Sequence, residues 1–331
     1  MHHSLIRQPE TSLLAVMTAA LLASAAFAAC GSTGGDSEDT ENASSGGAPM
    51  GDGGAGASGS QSTAGGKSNG GASGIGGASG ISGASGIGGT STTAEVRLPP
   101  ANSQFDYQLG GAYEPQLGVG VLSRDREDDP APGLYNICYV NGFQGQPQDE
   151  DWWLGEHVEL VLHDDGTPVF DEDWGELILD VSTAEKRMAL AEIIGDWIEQ
   201  CAADGFDAVE IDNLDTFSRS NGLLEREDAV ELMALLSAVA HGAGLAIAQK
   251  NTTELLDEAA TMGTDFAIAE ECGRWEECGE YREVYGDRVF VIEYRQQDFS
   301  AACAEHGELS IVLRDIDVTS PGSTSYVYDA C

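Results

Sequence analysis

The chain has 331 residues, with 15 Lys and Arg against 56 Asp and Glu and a formal net charge of −41 at pH 7. A surface so acidic repels phosphate backbones and cannot release their counterions, so nucleic acid is excluded as a partner. About 235 residues remain for folding once the low-complexity N-terminal part is set aside, which is room for one large domain.

Read in chain order, His2, His3 and Arg7 precede an apolar run from Leu13 to Ala29, the polarity and length of a secretory signal peptide over residues 1–29. Ala28-Ala29-Cys30-Gly31 resembles a bacterial lipobox and predicts lipidation of Cys30, with ordinary cleavage after Ala28 as the rival. Taking Cys30 for a lipid leaves an even set of cysteines suited to disulfides in an oxidising compartment, and the protein is expected to be exported as a cell-envelope lipoprotein or in secreted form. Residues 30–95 hold no aromatic side chain and about half of the 43 glycines. Such a segment buries too little apolar surface to offset its ordering entropy, so it reads as a disordered Gly/Ser/Ala-rich tether.

From residue 96 to 331, short β-branched runs alternate with longer amphipathic stretches. The strand candidates are 117–122, 135–140, 177–181, 208–212, 245–249, 266–270, 289–294 and 309–314, with 105–109 as a further possibility. Residues 183–204 and 226–241 carry helical periodicity. On the first, Met188, Leu190, Ala191, Ile194, Ile198 and Cys201 share a face, and on the second Leu232, Leu235, Leu236 and Val239 do. Gly205, Gly244, Gly263, Gly286 and Gly307 stand where helices end. The alternation predicts an α/β fold, a (β/α)8 TIM barrel forming a single catalytic domain; a doubly wound sheet is the rival, and no phosphate-binding glycine fingerprint follows any strand to support it.

In either architecture ligands gather at the carboxyl ends of the strands. There stand Tyr139 and Asn141, Asp180, the group Glu210, Asp212, Asn213 and Asp215, then Lys250 and Asn251, Glu270 and Glu271, Glu293 and Tyr294, and Arg314 with Asp315. Glu210 and Asp212 fall on one strand face with Ile211 on the other, so both can point at the barrel axis. Converging carboxylates are what glycoside hydrolysis needs, because one must hold a proton while its partner stays ionised. A calcium or magnesium site is the competing use of oxygen ligands, but no calcium-loop spacing occurs and the histidines lack zinc-ligand spacing, so neither metal nor cofactor is expected. Phe105, Tyr107, Tyr139, Trp152, Trp153 and Trp275 offer flat rings for sugar stacking; for Trp152 and Trp153, burial under a loop is the competing reading.

These residues resemble the endo-alpha-1,4-polygalactosaminidases of glycoside hydrolase family 114. The resemblance is carried in order by Phe105-Asp106-Tyr107-Gln108-Leu109, Cys138-Tyr139-Val140, Leu179-Asp180-Val181, the run from Gly205 to Asp215, Ala240-His241, Gly244-Leu245, Lys250-Asn251, Glu270-Glu271-Cys272 with Glu277-Cys278, and Ile292-Glu293-Tyr294. Phe105 stands where a Trp is common, and Ser182 where an Arg often follows. The resemblance implies a hydrolase (EC 3.2.1.-) that cuts within alpha-1,4-linked galactosamine polymers, with Asp212 and Glu270 as its catalytic pair. It also implies that Asp106, Tyr139, Asp180, Glu210, Asn213, Asp215, Lys250, Asn251, Glu271, Trp275 and Glu293 bind substrate. Together with the cysteine spacing it implies the disulfides Cys272–Cys278, Cys303–Cys331 and Cys138–Cys201.

The expected partner is a cationic amino-sugar polysaccharide acted on by a monomer, with any membrane contact made only through the lipid. Two alternatives stand beside this reading: a non-catalytic surface barrel that binds carbohydrate, and a hydrolase of another amino-sugar or neutral polysaccharide. If the negative field recruits a polycation, raising ionic strength through the range where the Debye length falls from about 30 Å to about 10 Å will lower turnover of a deacetylated polymer. Salt-independent rates in a reducing-end assay would show that recruitment is not electrostatic.

Overall fold

The computed structural model describes residues 95–172 and 174–331. The expected signal peptide, the lipidation site at Cys30 and the tether up to residue 94 lie outside the described residues. Parallel strands Phe105–Gln108 (β1), Val121–Asp125 (β2), Tyr135–Asn141 (β3), Ala208–Asp212 (β4), Ala246–Lys250 (β5), Phe266–Glu270 (β6), Val289–Glu293 (β7) and Ser310–Arg314 (β8) follow one another in that spatial order, and a short antiparallel strand, Tyr328–Ala330 (β9), pairs with β8. This is a nearly closed TIM barrel.

Alternation sorts the side chains into two cores. Phe105, Tyr107, Ile137, Ala208, Ala246, Ala248, Phe266, Ile268, Phe290, Ile292 and Val312 fill the barrel, while Val209, Ile211, Ile247, Val291 and Ile311 meet the outer shell. Small Ala residues on β4 and β5 face large aromatics on β1, β6 and β7, so the interior is filled and not a pore. Helix Ala184–Asp204 begins with Thr183, whose hydroxyl accepts from Lys186 N, and ends at Gly205 with φ 98°, a left-handed turn that favours glycine. It buries Arg187, Leu190, Ile194, Ile198 and Cys201, whereas Met188 points outward. On helix Arg226–Gly242, Leu232 and Leu236 are buried and Leu235 is exposed. Both outward residues sit at the edge of the predicted stripe.

Two strand assignments change. Residues 117–122 are not the first barrel strand: Leu117 is fully exposed, and the wall begins at Phe105. Residues 177–181 are not in the wall either, because β3 pairs directly with β4 (Tyr139 with Glu210, Asn141 with Asp212) and leaves no place between them. Glu176–Ile178 instead joins Gln144–Gly145 and Phe170–Asp171 in a small antiparallel sheet. The connections 109–120 and 126–134 carry no helix, so the helical shell begins only after β3.

No β-ladder joins β1 to β8 among the described residues. The seam is closed by Ser103 N donating to Ser310 Oγ at 3.0 Å, by Tyr328 of β9 bonded to Gln104 and Phe105, and by Arg314, whose Nη1 lies 3.2 Å from Asp106 Oδ1. Both members of that ion pair are 0% exposed. Asp106 is therefore not a substrate ligand: it also accepts from Tyr113 and Gln108, and no face of it reaches solvent. Phe105 is buried in the barrel interior, so a sugar cannot stack on it.

The disulfides Cys138–Cys201, Cys272–Cys278 and Cys303–Cys331 tie β3 to the end of helix Ala184–Asp204, staple the segment after β6, and hold Cys331 to helix Gln296–Glu305. Removing one partner of a buried pair leaves an uncompensated charge. Asp106→Asn should therefore lower unfolding free energy by about 3–5 kcal/mol in chemical denaturation. A loss under about 1 kcal/mol would show that the seam does not depend on this pair.

Candidate active site

Strand β5 ends on Lys250, whose side chain is 2% exposed and points into the mouth of the barrel. Its Nζ lies 3.0 Å from Glu210 Oε1, 3.1 Å from Asp212 Oδ1 and 3.3 Å from Glu270 Oε2, and it donates to the Tyr107 hydroxyl at 3.0 Å. The ammonium also sits over the rings of Tyr107 and Tyr139. Burial alone would lower its pKa, but Asp212, Glu270 and Glu210 together hold it well above the usual lysine value. It is a fixed cation.

Glu210 lies below this point, fully buried, and accepts from Tyr107 at 2.7 Å and Ser123 at 2.8 Å. Its burial pushes its pKa up against the pull of Lys250. Glu210 is thus the floor of the site and not a group a glycan can reach. Asp212, one step nearer the mouth, accepts from Tyr139 Oη at 2.7 Å and from Asn213 N at 2.9 Å. Burial raises its pKa, yet Lys250, the Tyr139 hydroxyl and the Asn213 amide outweigh it and leave the carboxyl below the ordinary aspartate value. Burial first, and then neighbouring carboxylates, push the hydroxyls of Tyr107, Tyr139 and Tyr294 well above the usual range, so they remain donors.

Glu270 ends β6. Asn251 clamps it from two sides, donating Nδ2 to Oε2 at 3.1 Å and accepting from Glu270 N at 2.7 Å, while Tyr294 donates to Oε1. Asn213, Asn251, Thr252 and Glu271 all have positive φ, between 48° and 65°. Three neighbouring strands therefore leave the sheet through left-handed turns, a cost of order 1–3 kcal/mol each that clusters at functional sites. It turns Asn213 and Asn251 back onto the strand ends.

The remaining predicted residues divide. Asp215 pairs with Arg219, whose guanidinium also reaches Asn213 and Asp171. Glu271 pairs with Arg274 at 2.7 Å, and Arg274 lies over Trp275, which is 58% exposed just beyond β6. These three stand at the rim. Asp180 bonds to Ser182 and Lys186 at the start of the following helix, which together lower its pKa against its burial, and no bond joins it to the Lys250 cluster. Glu293 does not line the cleft expected from the sequence: it shares its strand face with Val289 and Val291, is completely buried outside the barrel, and accepts from Gly273 N at 2.7 Å. A Cβ at Gly273 would lie 2.8 Å from that carboxylate, so only glycine fits there. Glu293 positions the stapled segment after Glu270 and cannot touch substrate. Trp152 and Trp153 pack with His157 and Trp197, Trp153 completely buried, and they are not a sugar platform.

Sequence reading left Tyr107, Ser123 and Tyr294 out of the binding set, and it missed Glu176. Tyr107 and Tyr294 lie in recognisable strands, but only barrel closure brings them to Lys250. Glu176 sits outside the wall, with no local signal to mark it.

A parallel barrel that gathers carboxylates around one lysine at its carboxyl mouth has the form of a glycoside hydrolase. The chain belongs to glycoside-hydrolase family GH114, whose model matches residues 88–331. Among solved structures it is similar to Aspergillus fumigatus Ega3 in complex with galactosamine, at 20% identity and TM-score 0.59, over 72% of this chain and 100% of that one. The glycoside hydrolase domain of PelA from Pseudomonas aeruginosa is a more distant likeness, at 14% identity and TM-score 0.46, covering 68% of this chain and 99% of that one. No protein of curated function matches.

Because Glu210 has a raised folded-state pKa, it favours the folded state at low pH and loses that contribution as pH rises through its folded pKa. Lys250→Met removes the cation opposing this shift. The variant should lose stability relative to wild type more steeply as pH rises above the ordinary glutamate range in thermal melts. A pH-independent difference would show that Lys250 does not hold Glu210 ionised.

Proposed function

We propose that this glycoside hydrolase cleaves within alpha-1,4-linked galactosamine polymers, with Asp212 as nucleophile and Glu270 as acid/base. The observation that carries the assignment is the shared contact with Lys250: Asp212 and Glu270 bear on one ammonium at 3.1 and 3.3 Å from opposite sides of the β5 end. Their nearest oxygens can be no farther apart than those two contacts laid end to end. That favours the short separation of retaining enzymes, about 5–5.5 Å, over the wider gap that inverting enzymes keep for a water.

In this reading Asp212, held ionised, attacks the anomeric carbon while Glu270 gives its proton to the departing glycosidic oxygen. The glycosyl ester on Asp212 is then opened by water, whose proton passes to Glu270 as Asp212 leaves. The first step leaves Asp212 esterified and Glu270 ionised, and the second restores the ionised Asp212 and protonated Glu270. Tyr139 keeps Asp212 oriented, and Asn251 keeps Glu270 from turning away.

The substrate class is supported by the galactosamine bound in the Ega3 structure and by the charge of the chain, since a deacetylated polymer is polycationic at neutral pH. Trp275 offers an exposed ring at the rim for a sugar face. The disulfides fit work in an oxidising compartment outside the cytosol, and among the described residues no helix is long and apolar enough to cross a membrane.

The test is a reducing-end assay on galactosaminogalactan, chitosan and neutral glucans. Wild type should act on the first, and Glu270→Gln should lose about 10²- to 10⁴-fold in kcat, with Asp212→Asn losing at least as much. Retention should appear as the α-anomer in the first product seen by NMR. Unchanged rates in both variants would sink the catalytic assignment, and no turnover by wild type on any polymer would favour a binding barrel.

A further inference from the structure

Glu176 opens the strand Glu176–Ile178 on the antiparallel sheet beside the mouth, half-buried. Asn141 Nδ2 donates to its Oε2 at 3.0 Å, and Asn141 is the ladder partner of Asp212 across β3 and β4. The same Asn141 accepts from Asn213 Nδ2 at 3.0 Å, and Asn213 donates its backbone N–H to Asp212. Two amides therefore fix Glu176 beside the proposed nucleophile.

What the carboxyl lacks is a directly bonded cation. Among the described residues no group donates to Oε1 and no ion pair includes Glu176; Arg219, the guanidinium that bears on it, is bonded to Asp171, Asp215 and Asn213. Every other carboxylate at the centre shares Lys250. Two residues earlier, Trp174 is 56% exposed in the turn that leads into this strand, an aromatic face beside the carboxyl's element.

We propose that Glu176 is a specificity-determining carboxylate that takes the ammonium of the amino-sugar unit seated beside Asp212. This rests on the amino-sugar reading given above. An ammonium supplies the missing counter-charge and three donors, whereas an N-acetyl group offers one neutral N–H and leaves the carboxylate uncompensated. The groups facing Glu176 agree. Burial raises its pKa, Asp212 and Asp171 add to this, and Asn141 and Arg219 oppose it, leaving the carboxyl at about 7. In the free enzyme the carboxylate forms as pH rises through that range, and the ammonium site forms with it.

The experiment compares wild type with Glu176→Gln, which keeps the shape and an acceptor for Asn141, on deacetylated and N-acetylated alpha-1,4-galactosamine oligomers. The expected result is a KM raised about 10- to 100-fold on the deacetylated oligomers, with kcat little changed and the N-acetylated values untouched. The rise of wild-type kcat/KM near pH 7 on the deacetylated oligomers should vanish in the variant. Equal losses on both substrates would mark a structural role, and no change on the deacetylated one would remove Glu176 from recognition; either overturns the proposal. Wild type active only on N-acetylated oligomers would bring down the substrate reading first and this inference with it. Should Glu176→Gln fold poorly, competition in the wild type decides: galactosamine should inhibit more strongly above pH 7 and more strongly than N-acetylgalactosamine, and equal inhibition overturns the proposal.

Discussion

Lys250 brings one positive charge into a space bounded by Glu210, Asp212 and Glu270, and the mouth of the barrel is organised by that contact. Without it, a fully buried Glu210 would neutralise and Asp212 would lose the main pull that keeps it ionised. The reverse also holds, since a lysine buried to 2% exposure stays protonated only because three carboxylates surround it. The tyrosines complete the arrangement. Their hydroxyls resist ionisation, so they donate to the carboxylates without adding charge.

This centre depends on barrel closure. Tyr107 arrives from β1, Tyr139 from β3, Glu210 and Asp212 from β4, Lys250 from β5, Glu270 from β6, and Tyr294 from just beyond β7. The wall is held at its seam by the Asp106–Arg314 pair and the strand at Tyr328, not by a ladder. A slip there would move Tyr107, and with it the bonds to Glu210 and Lys250. Stability and chemistry are thus joined through β1.

Much of the site was legible because Glu210 and Asp212 interrupt an apolar run at a spacing that puts them on one face, and because Asn213, Asn251 and Glu271 follow strand ends where turns are required. Glu293 misled because its strand is apolar on both faces: Val289, Phe290, Val291 and Ile292 carry no alternation to tell inside from outside. Residues 177–181 misled for a related reason. Their apolar pattern is that of a buried strand, but burial does not reveal which neighbour a strand pairs with, and β3 had already taken β4. Glu176 carried no signal at all, since its place beside Asp212 depends on an amide from another element.

The sequence by itself determined the alternation of strands and helices, the acidic character of the domain, and the polar residues that each strand delivers to its carboxyl end, because these follow from local period and composition. The tertiary structure alone decided which of those residues meet. Asp106 and Glu293 were drawn into structural pairings outside the cleft, and Glu210 into its floor, because strand register and the closing seam set each side chain's face. Lys250 became the common partner of three carboxylates for the same reason: the geometry belongs to neighbouring strands, and no single segment contains it.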